Sequence, residues 1–267
     1  MELAVLSPHF DDALLSCWRV LAGSDQAIVL NVFTGSPAIG TPAPWWDRMT
    51  GADDPVRRMR ERRDEDSCAL ATLGRDAVQL GLLDDQYRDA DLSVSEVTAR
   101  IRDLVRPETT LYAPAALDGH PDHVLVRDAA LALARADWQV VMYADLPHAI
   151  TRGWAEWVSP GGCAAGARIS EEWDAALASA GLAAPQLRPV AYSLDERDRA
   201  GKLLALAEYR TQRAALDQMA FAPLEDPRTL AWEVSWEVPA SALRSPAELG
   251  AKTPVADSRG ESRDDRS

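Results

Sequence analysis

Short apolar runs alternate along this chain with longer segments whose apolar positions recur at helical spacing. The first run, Leu3-Ala4-Val5-Leu6, predicts a buried strand over 2–7. Ala13-Leu14-Leu15-Ser16-Cys17-Trp18 then has the spacing of a buried helix face and predicts a helix over 11–22, ending near Gly23. Ala27 to Phe33 is a second apolar run, closed by Thr34-Gly35. Strand, helix and strand within ~35 residues is the βαβ arrangement of a parallel sheet.

The pattern breaks over 36–54, a segment holding Pro37, Pro42, Pro44, Trp45, Trp46 and Asp47. Loops of this length are functional or disordered, and two adjacent tryptophans argue against plain disorder. A charged helix follows over 55–73, stopped at Gly74. Its charge run at 57–66 reads as a solvated face. Further strands are predicted at 78–82, 110–114 and 140–143, with helices at 93–106 and 121–136, the latter opening on Pro121 at its first position. Beyond about residue 150 the period weakens. Helices are expected at 169–180 and 195–219, and a last strand at 230–238, where Trp232, Glu233 and Trp236 close the core. The whole predicts an α/β, Rossmann-like fold, a mostly parallel sheet with helices on both faces. It fills a single domain over 1–240, with a disordered tail over 241–267.

Composition narrows the function. With 267 residues, 47% of them hydrophobic, the chain can bury a sizeable core. A formal net charge of −14 argues against a nucleic-acid partner, because phosphate binding needs a basic face. No run approaches ~18 uninterrupted apolar residues, so no membrane span is expected, and the N-terminus lacks the pattern of a signal peptide. Cys17, Cys68 and Cys163 are too widely spaced for a disulfide framework or a CxxC metal site. Cys17 and Cys68 read as buried thiols on apolar helix faces, and a cytoplasmic location fits them. Oligomeric state is left open.

The chemistry concentrates in two stretches. Ser7-Pro8-His9-Phe10-Asp11-Asp12-Ala13 lies where the first strand meets the first helix, and Asp118-Gly119-His120-Pro121-Asp122-His123 lies at a later strand-to-helix junction. In a parallel sheet these junctions share the edge where ligands bind, so the two stretches converge. They contain three of the four histidines. Two imidazoles and a carboxylate suit a single Zn²⁺ with an open fourth position: His9 and Asp12 with one of His120 and His123. Histidines suit zinc better than magnesium, and no glycine-rich phosphate loop follows the first strand, which disfavours a dinucleotide-binding domain. An open zinc site is catalytic, because it turns water into hydroxide near neutral pH. Asp11 and the remaining histidine then fill two roles of amide hydrolysis, a base and an oxyanion or leaving-group partner. Asp122 is placed to orient one ring from behind. Each stretch alone also reads as an ordinary helix start, the Asp-Asp pair as an N-cap and the His-Pro-Asp-His run as a capped helix. Both together are harder to explain that way.

Pro8-His9-Phe10-Asp11-Asp12 with the later His120-Pro121-Asp122-His123 resembles the zinc-dependent PIG-L/LmbE-like N-deacetylases. The variant Pro-His-x-Asp-Asp-Ala-x-Leu-Ser over Pro8 to Ser16 looks like a bacterial subgroup that includes secondary-metabolite sugar deacetylases. The usual motif has proline where Phe10 stands and glutamate where Ala13 stands. Supporting matches are Val32 to Gly35, Arg62-x-x-Glu65-Asp66, Leu82-Leu83-Asp84 and Tyr143-x-Asp145-Leu146-Pro147. The resemblance implies an LmbE-like deacetylase fold in which His9, Asp12 and His123 bind zinc and Asp11 is the general base. His120 would then stabilise the oxyanion or protonate the leaving amine. The substrate it implies is a small-molecule N-acylated amino-sugar conjugate. At the positions where the family contacts sugar hydroxyls stand Arg62 and Asp84, which read equally as a packing salt bridge. Trp45 and Trp46 read either as stacking surfaces for a sugar or aglycone or as a plug holding down the long loop. His148 follows a strand end and reads mainly as a packing residue. A metal-containing sugar-binding protein without catalysis is the alternative.

Overall fold

The chain order in the computed structural model is β1 (Leu3–Ser7), α1 (Asp12–Ser16), α2 (Trp18–Gly23), β2 (Ala27–Asn31), α3 (Trp45–Met49), α4 (Pro55–Ala71), β3 (Ala77–Gln79), α5 (Val94–Arg102), β4 (Thr110–Pro114), α6 (Pro121–Ala134), β5 (Val140–Tyr143), α7 (Ile169–Ser179), β6 (Arg188–Ser193), α8 (Glu196–Leu206), α9 (Arg213–Met219) and β7 (Trp232–Glu237). The structure describes residues 2–160, 162 and 167–244. Its seven strands form one sheet in the order β3-β2-β1-β4-β5-β7-β6. The first five are parallel, with Val5 registered against Val29 on one side and Tyr112 on the other. β7 runs antiparallel to both β5 and β6. The chain winds outward from β1 through β2 to β3, then returns to place β4 on the other side. That reversal opens a crevice at the carboxyl ends of β1 and β4, which an open α/β sheet uses for ligands.

The helix expected over 11–22 is two helices, broken at Cys17, whose φ of −131° and ψ of 30° leave the helical region. The break has a tertiary cause. Glu233 on β7 accepts hydrogen bonds from the backbone N–H groups of Trp18 and Arg19 at 2.8 and 3.0 Å, so it serves as the missing cap of α2. Lys202 of α8 is completely buried and donates to the same carboxylate at 2.7 Å. The neighbouring Gly201 leaves room for the Trp18 indole: a Cβ there would lie 2.7 Å from Trp18 Cζ2.

Other boundaries shift for similar reasons. The helix expected over 195–219 splits into α8 and α9, and in the intervening residues Tyr209 bonds to Phe10 and Asp66, Thr211 to Glu65 and Gln212 to Trp46. β6 has no counterpart in the sequence reading, because Arg188-Pro189-Val190-Ala191-Tyr192-Ser193 lacks a buried alternation. It is an edge strand, where proline is tolerated. The charged run of α4 is not a solvated face throughout: Arg58, Arg62, Glu65 and Asp66 are buried on one helical stripe. Cys17 is buried as expected, whereas Cys68 is exposed because it falls on the outer side of α4. Cys163 lies outside the described residues. At the C-terminal end, Ala242 is fully buried and Leu243 pairs with Leu182. Most of the expected tail, residues 245–267, lies outside the described residues. Among the described residues no helix is long and apolar enough to cross a membrane.

Replacing Lys202 with methionine strands the buried Glu233 carboxylate without its cation. We expect a loss of about 3 kcal/mol in unfolding free energy, measured by denaturant titration. A change below about 0.5 kcal/mol would show that the backbone donors of α2 suffice on their own.

Candidate active site

The two histidine-bearing stretches meet at the carboxyl end of β1 and β4. After β1 the chain turns so that Ser7 Oγ donates to the His9 carbonyl at 2.5 Å and accepts from Ala13 N–H at 2.9 Å. Ser7 thus ties the loop to the start of α1. Asp11 occupies the N-cap position without making a side-chain capping bond. Asp12 is buried and turned inward, where its Oδ2 accepts the His9 backbone N–H at 2.7 Å. The aspartate pair is therefore not a helix cap. On the other stretch Pro121 opens α6, His120 precedes it without capping, and Asp122 and His123 are completely buried.

Carboxylates behind the rings set which nitrogen of each histidine is free. His9 Nε2 lies 3.1 Å from Asp122 Oδ2, and His123 Nδ1 lies 2.9 Å from Asp145 Oδ2. An ionised carboxylate only accepts, so each of these nitrogens carries the proton. The free lone pairs are then His9 Nδ1 and His123 Nε2. Both stand 3.5 Å from Asp12 Oδ2. His123 Nε2 is buried and has no hydrogen-bond partner. Donors bound at 2.0–2.1 Å to a tetrahedral zinc ion lie about 3.4 Å apart. The chemistry and spacing of His9, Asp12 and His123 therefore fit a divalent metal ion. A second group, His9 with Asp84 and Asp122, has similar spacing. It does not fit a cation as well, because Arg88 Nη1 is 2.7 Å from Asp122 Oδ1 and Arg62 Nη1 is 3.6 Å from Asp84 Oδ2.

Asp11 and His120 line the same cleft, of about 630 Å³, together with His9 and Asp12. Burial and the adjacent Asp12 charge raise the Asp11 carboxyl above its ordinary range, against the pull of Arg62 and His9. Burial and three neighbouring imidazoles push His120 down to about 3, so it is a neutral ring. Its Nδ1 has no partner. Burial disfavours charge on His9, but its contacts with Asp12 and Asp122 outweigh that and raise its pKa, so a metal ion competes with a proton for Nδ1 and frees the lone pair only by displacing it.

The other residues singled out in the sequence also reach the cleft. Arg62 and Asp84 are buried and lie side by side on its wall. The Arg62 guanidinium also sits 5.7 Å from the centre of the Phe10 ring. Trp45 and Trp46 belong to α3, a short helix inside the segment expected to be a loop. Trp46 is pinned by a 2.8 Å hydrogen bond from its Nε1 to Gln212 Oε1, while Trp45 remains 65% exposed. With Met49, Ala215, Leu216 and Met219 they form an apolar wall facing the polar one. Asp122 lies behind His9, not behind its own neighbours in sequence.

Sequence reasoning undervalued three side chains. His148 is not merely packed: it lines the cleft, its ring centre is 4.6 Å from that of His123, and its Nδ1 is 2.6 Å from Asp118 Oδ2. The Asp118 contact raises His148 despite burial. Asp145, two residues beyond β5, holds His123. The rule that located the first two stretches, an acidic group just past a strand end, would have found it. Arg88 had no such mark, since only the fold brings it to Asp122.

Asp145→Asn removes the acceptor that fixes the His123 tautomer. Affinity for zinc should fall by about 10–100-fold, measured by competition with a chromogenic chelator. An unchanged affinity would mean that Asp145 does not support the ligand.

Comparison with known proteins agrees with this geometry. Residues 4–134 match the family model PIG-L: GlcNAc-PI de-N-acetylase. A 2'-N-acetylparomamine deacetylase of Streptomyces fradiae is 31% identical in an alignment 165 positions long that covers 54% of this chain and 57% of that protein. The chain thus spans just over half the length of that curated relative. The solved structure of a deacetylase of the teicoplanin biosynthetic pathway superposes with a TM-score of 0.67 at 28% identity, over 90% of this chain and 98% of that one. The deacetylase Dbv21, which acts on the pseudoaglycone of A40926, does so at 0.67 and 27% identity, over 91% and 99%. The paired histidine motifs, the sheet order and these matches place residues 4–134 in a PIG-L-type domain, within a chain whose fold is similar to that of these deacetylases.

Proposed function

We propose that the protein is a zinc-dependent amide hydrolase that removes an N-acetyl or other N-acyl group from a small-molecule amino-sugar conjugate. The observation that carries this reading is the convergence of His9 Nδ1, His123 Nε2 and Asp12 Oδ2 beside Asp11 and His120 in one cleft. Its deacetylase relatives, one named for 2'-N-acetylparomamine, one for the teicoplanin biosynthetic pathway and one for the A40926 pseudoaglycone, support it. His9, Asp12 and His123 would hold one zinc ion, whose Lewis acidity would lower the pKa of water to ~7.

The residues divide the remaining work. Asp11, raised but free of capping duty, accepts a proton from the attacking water. His120, neutral and with an unpartnered ring nitrogen, donates a hydrogen bond to the amide oxygen as it gains charge; the leaving amine takes the proton that Asp11 removed from water, handed on by Asp11 or relayed through the free nitrogen of His120. The products are a carboxylate and a free amine. Arg62 and Asp84 face the sugar hydroxyls as donor and acceptor. Trp45 offers an exposed ring to the sugar or aglycone, while Trp46, held by Gln212, backs it. A non-catalytic binding protein on this fold would leave Asp11 with no task. We place the enzyme in the cytoplasm, where its thiols stay reduced.

Free-amine release from N-acylated glucosamine conjugates tests the reading. Activity should vanish after chelation and return with zinc, and Asp11→Asn should lower kcat by about 10²–10⁴-fold. Retained turnover in either case would overturn the assignment. Trp45→Ala should raise KM several-fold for conjugates with an apolar aglycone while leaving kcat within about twofold, as loss of uniform binding does. An equal fall in kcat would instead place Trp45 at the transition state.

A further inference from the structure

Behind Asp11, away from the cleft, lies a buried polar cluster to which the catalytic reading assigns no task. Asp66 on α4 is 1% exposed, and Tyr209, between α8 and α9, is equally buried. The Tyr209 hydroxyl lies 2.9 Å from Asp66 Oδ1 and 3.1 Å from the carbonyl oxygen of Phe10. Asp66 Oδ2 accepts from Asn31 Nδ2 of β2 at 2.6 Å.

Counting protons decides how this cluster is arranged. The Tyr209 hydroxyl carries one proton and faces two oxygens. If Asp66 is ionised, that proton goes to the carboxylate or is split between the two, and the Phe10 carbonyl loses a full donor. If Asp66 carries a proton on Oδ1, it donates to the Tyr209 oxygen, and Tyr209 donates to Phe10. The oxygens of Asp66, Tyr209 and Phe10 are then all satisfied, and Asn31 Nδ2 still has its acceptor, while Asn31 Oδ1 has no partner in either arrangement. The charge environment agrees. Among the described residues no cation forms an ion pair with Asp66, and a buried carboxylate without a partner is costly. The titratable groups facing it are Tyr209, Arg62 of its own helix and the Asp11 carboxylate from the loop after β1.

We infer that Asp66 is a positioning residue that works as a neutral carboxylic acid. Its proton lets Tyr209 hold the Phe10 carbonyl, and with it the backbone from which Asp11 projects. Burial, with the nearby Asp11 charge adding to it, raises the Asp66 carboxyl from 3.8 to about 7 despite the bonds from Tyr209 and Asn31. The protonated arrangement is therefore available near neutral pH. Only the effect on turnover rests on the deacetylase reading; the protonation itself does not.

Infrared difference spectra of wild type against Asp66→Asn, taken at pH 6, test the proton directly. A buried carboxylic-acid C=O band should be present in wild type and absent in the variant. Stability supplies a second readout that needs no turnover. A carboxyl with a raised folded-state pKa contributes its full stability below the unfolded value and loses it as pH rises through the folded value. Between pH 4 and pH 7 wild type should therefore lose at least ~10-fold in folding equilibrium constant relative to Asp66→Asn. In turnover, Tyr209→Phe should lower kcat roughly 2–10-fold with KM unchanged. Asp66→Asn, whose amide also donates to Tyr209, should retain activity that Asp66→Leu loses. Absence of the acid band, or parallel stability curves, would overturn the inference whatever the activity. A protonated Asp66 in a protein that releases no amine would instead sink the deacetylase reading and leave this assignment standing.

Discussion

Two hydrogen bonds from ring N–H groups to carboxylates hold the rest of this site in place. Asp122 fixes the proton of His9 on Nε2, and Asp145 fixes that of His123 on Nδ1. Without them each ring has two equivalent tautomers and no reason to turn a lone pair inward. With them, two neutral nitrogens face one oxygen of Asp12 at metal-ligand spacing. The outer carboxylates come from different elements, one from α6 and one from the end of β5, so the tautomers depend on the sheet being assembled.

The same edge keeps unlike charges in separate layers. Asp12, His9 and His123 sit innermost. Arg62 and Arg88 neutralise Asp84 and Asp122 in the next layer, which stops those carboxylates from competing for a cation. Asp118 and His148 form a further pair at the mouth of the cleft. A long C-terminal connection then ties the layers down. Tyr209 reaches Phe10 and Asp66, the Thr211 backbone and hydroxyl reach Glu65, and Gln212 holds Trp46. Three residues of one short stretch between two helices thereby touch the first motif, α4 and the aromatic wall. The polar cleft and its apolar side are assembled by one connection.

How much of this was readable beforehand differs by element. Strands β1, β2, β4 and β5 were visible because both faces of a parallel strand are buried, which writes a continuous apolar run. β6 was not, because an exposed edge strand carrying Pro189 has no such run. The buried side of α4 was misread because its inward stripe, Arg58, Arg62, Glu65 and Asp66, is charged. Those four positions share one helical face, but the charge run was read as solvated, and charge does not mean solvent where partners are buried with it. α1 and α2 were read as one helix because the break at Cys17 is imposed by Glu233, over 200 residues away.

The sequence by itself determined that two histidine-aspartate stretches stand at strand ends. In a parallel sheet that placement is enough to bring them to one edge. It also marked the chemistry, since neutral imidazoles and carboxylates without cysteine describe an open metal site. Only the tertiary structure decided which ring nitrogen is free, which arginine neutralises which carboxylate, and that His148 belongs to the cleft. Those outcomes depend on hydrogen bonds between groups far apart in the chain. No local period or propensity records the direction in which a buried proton points.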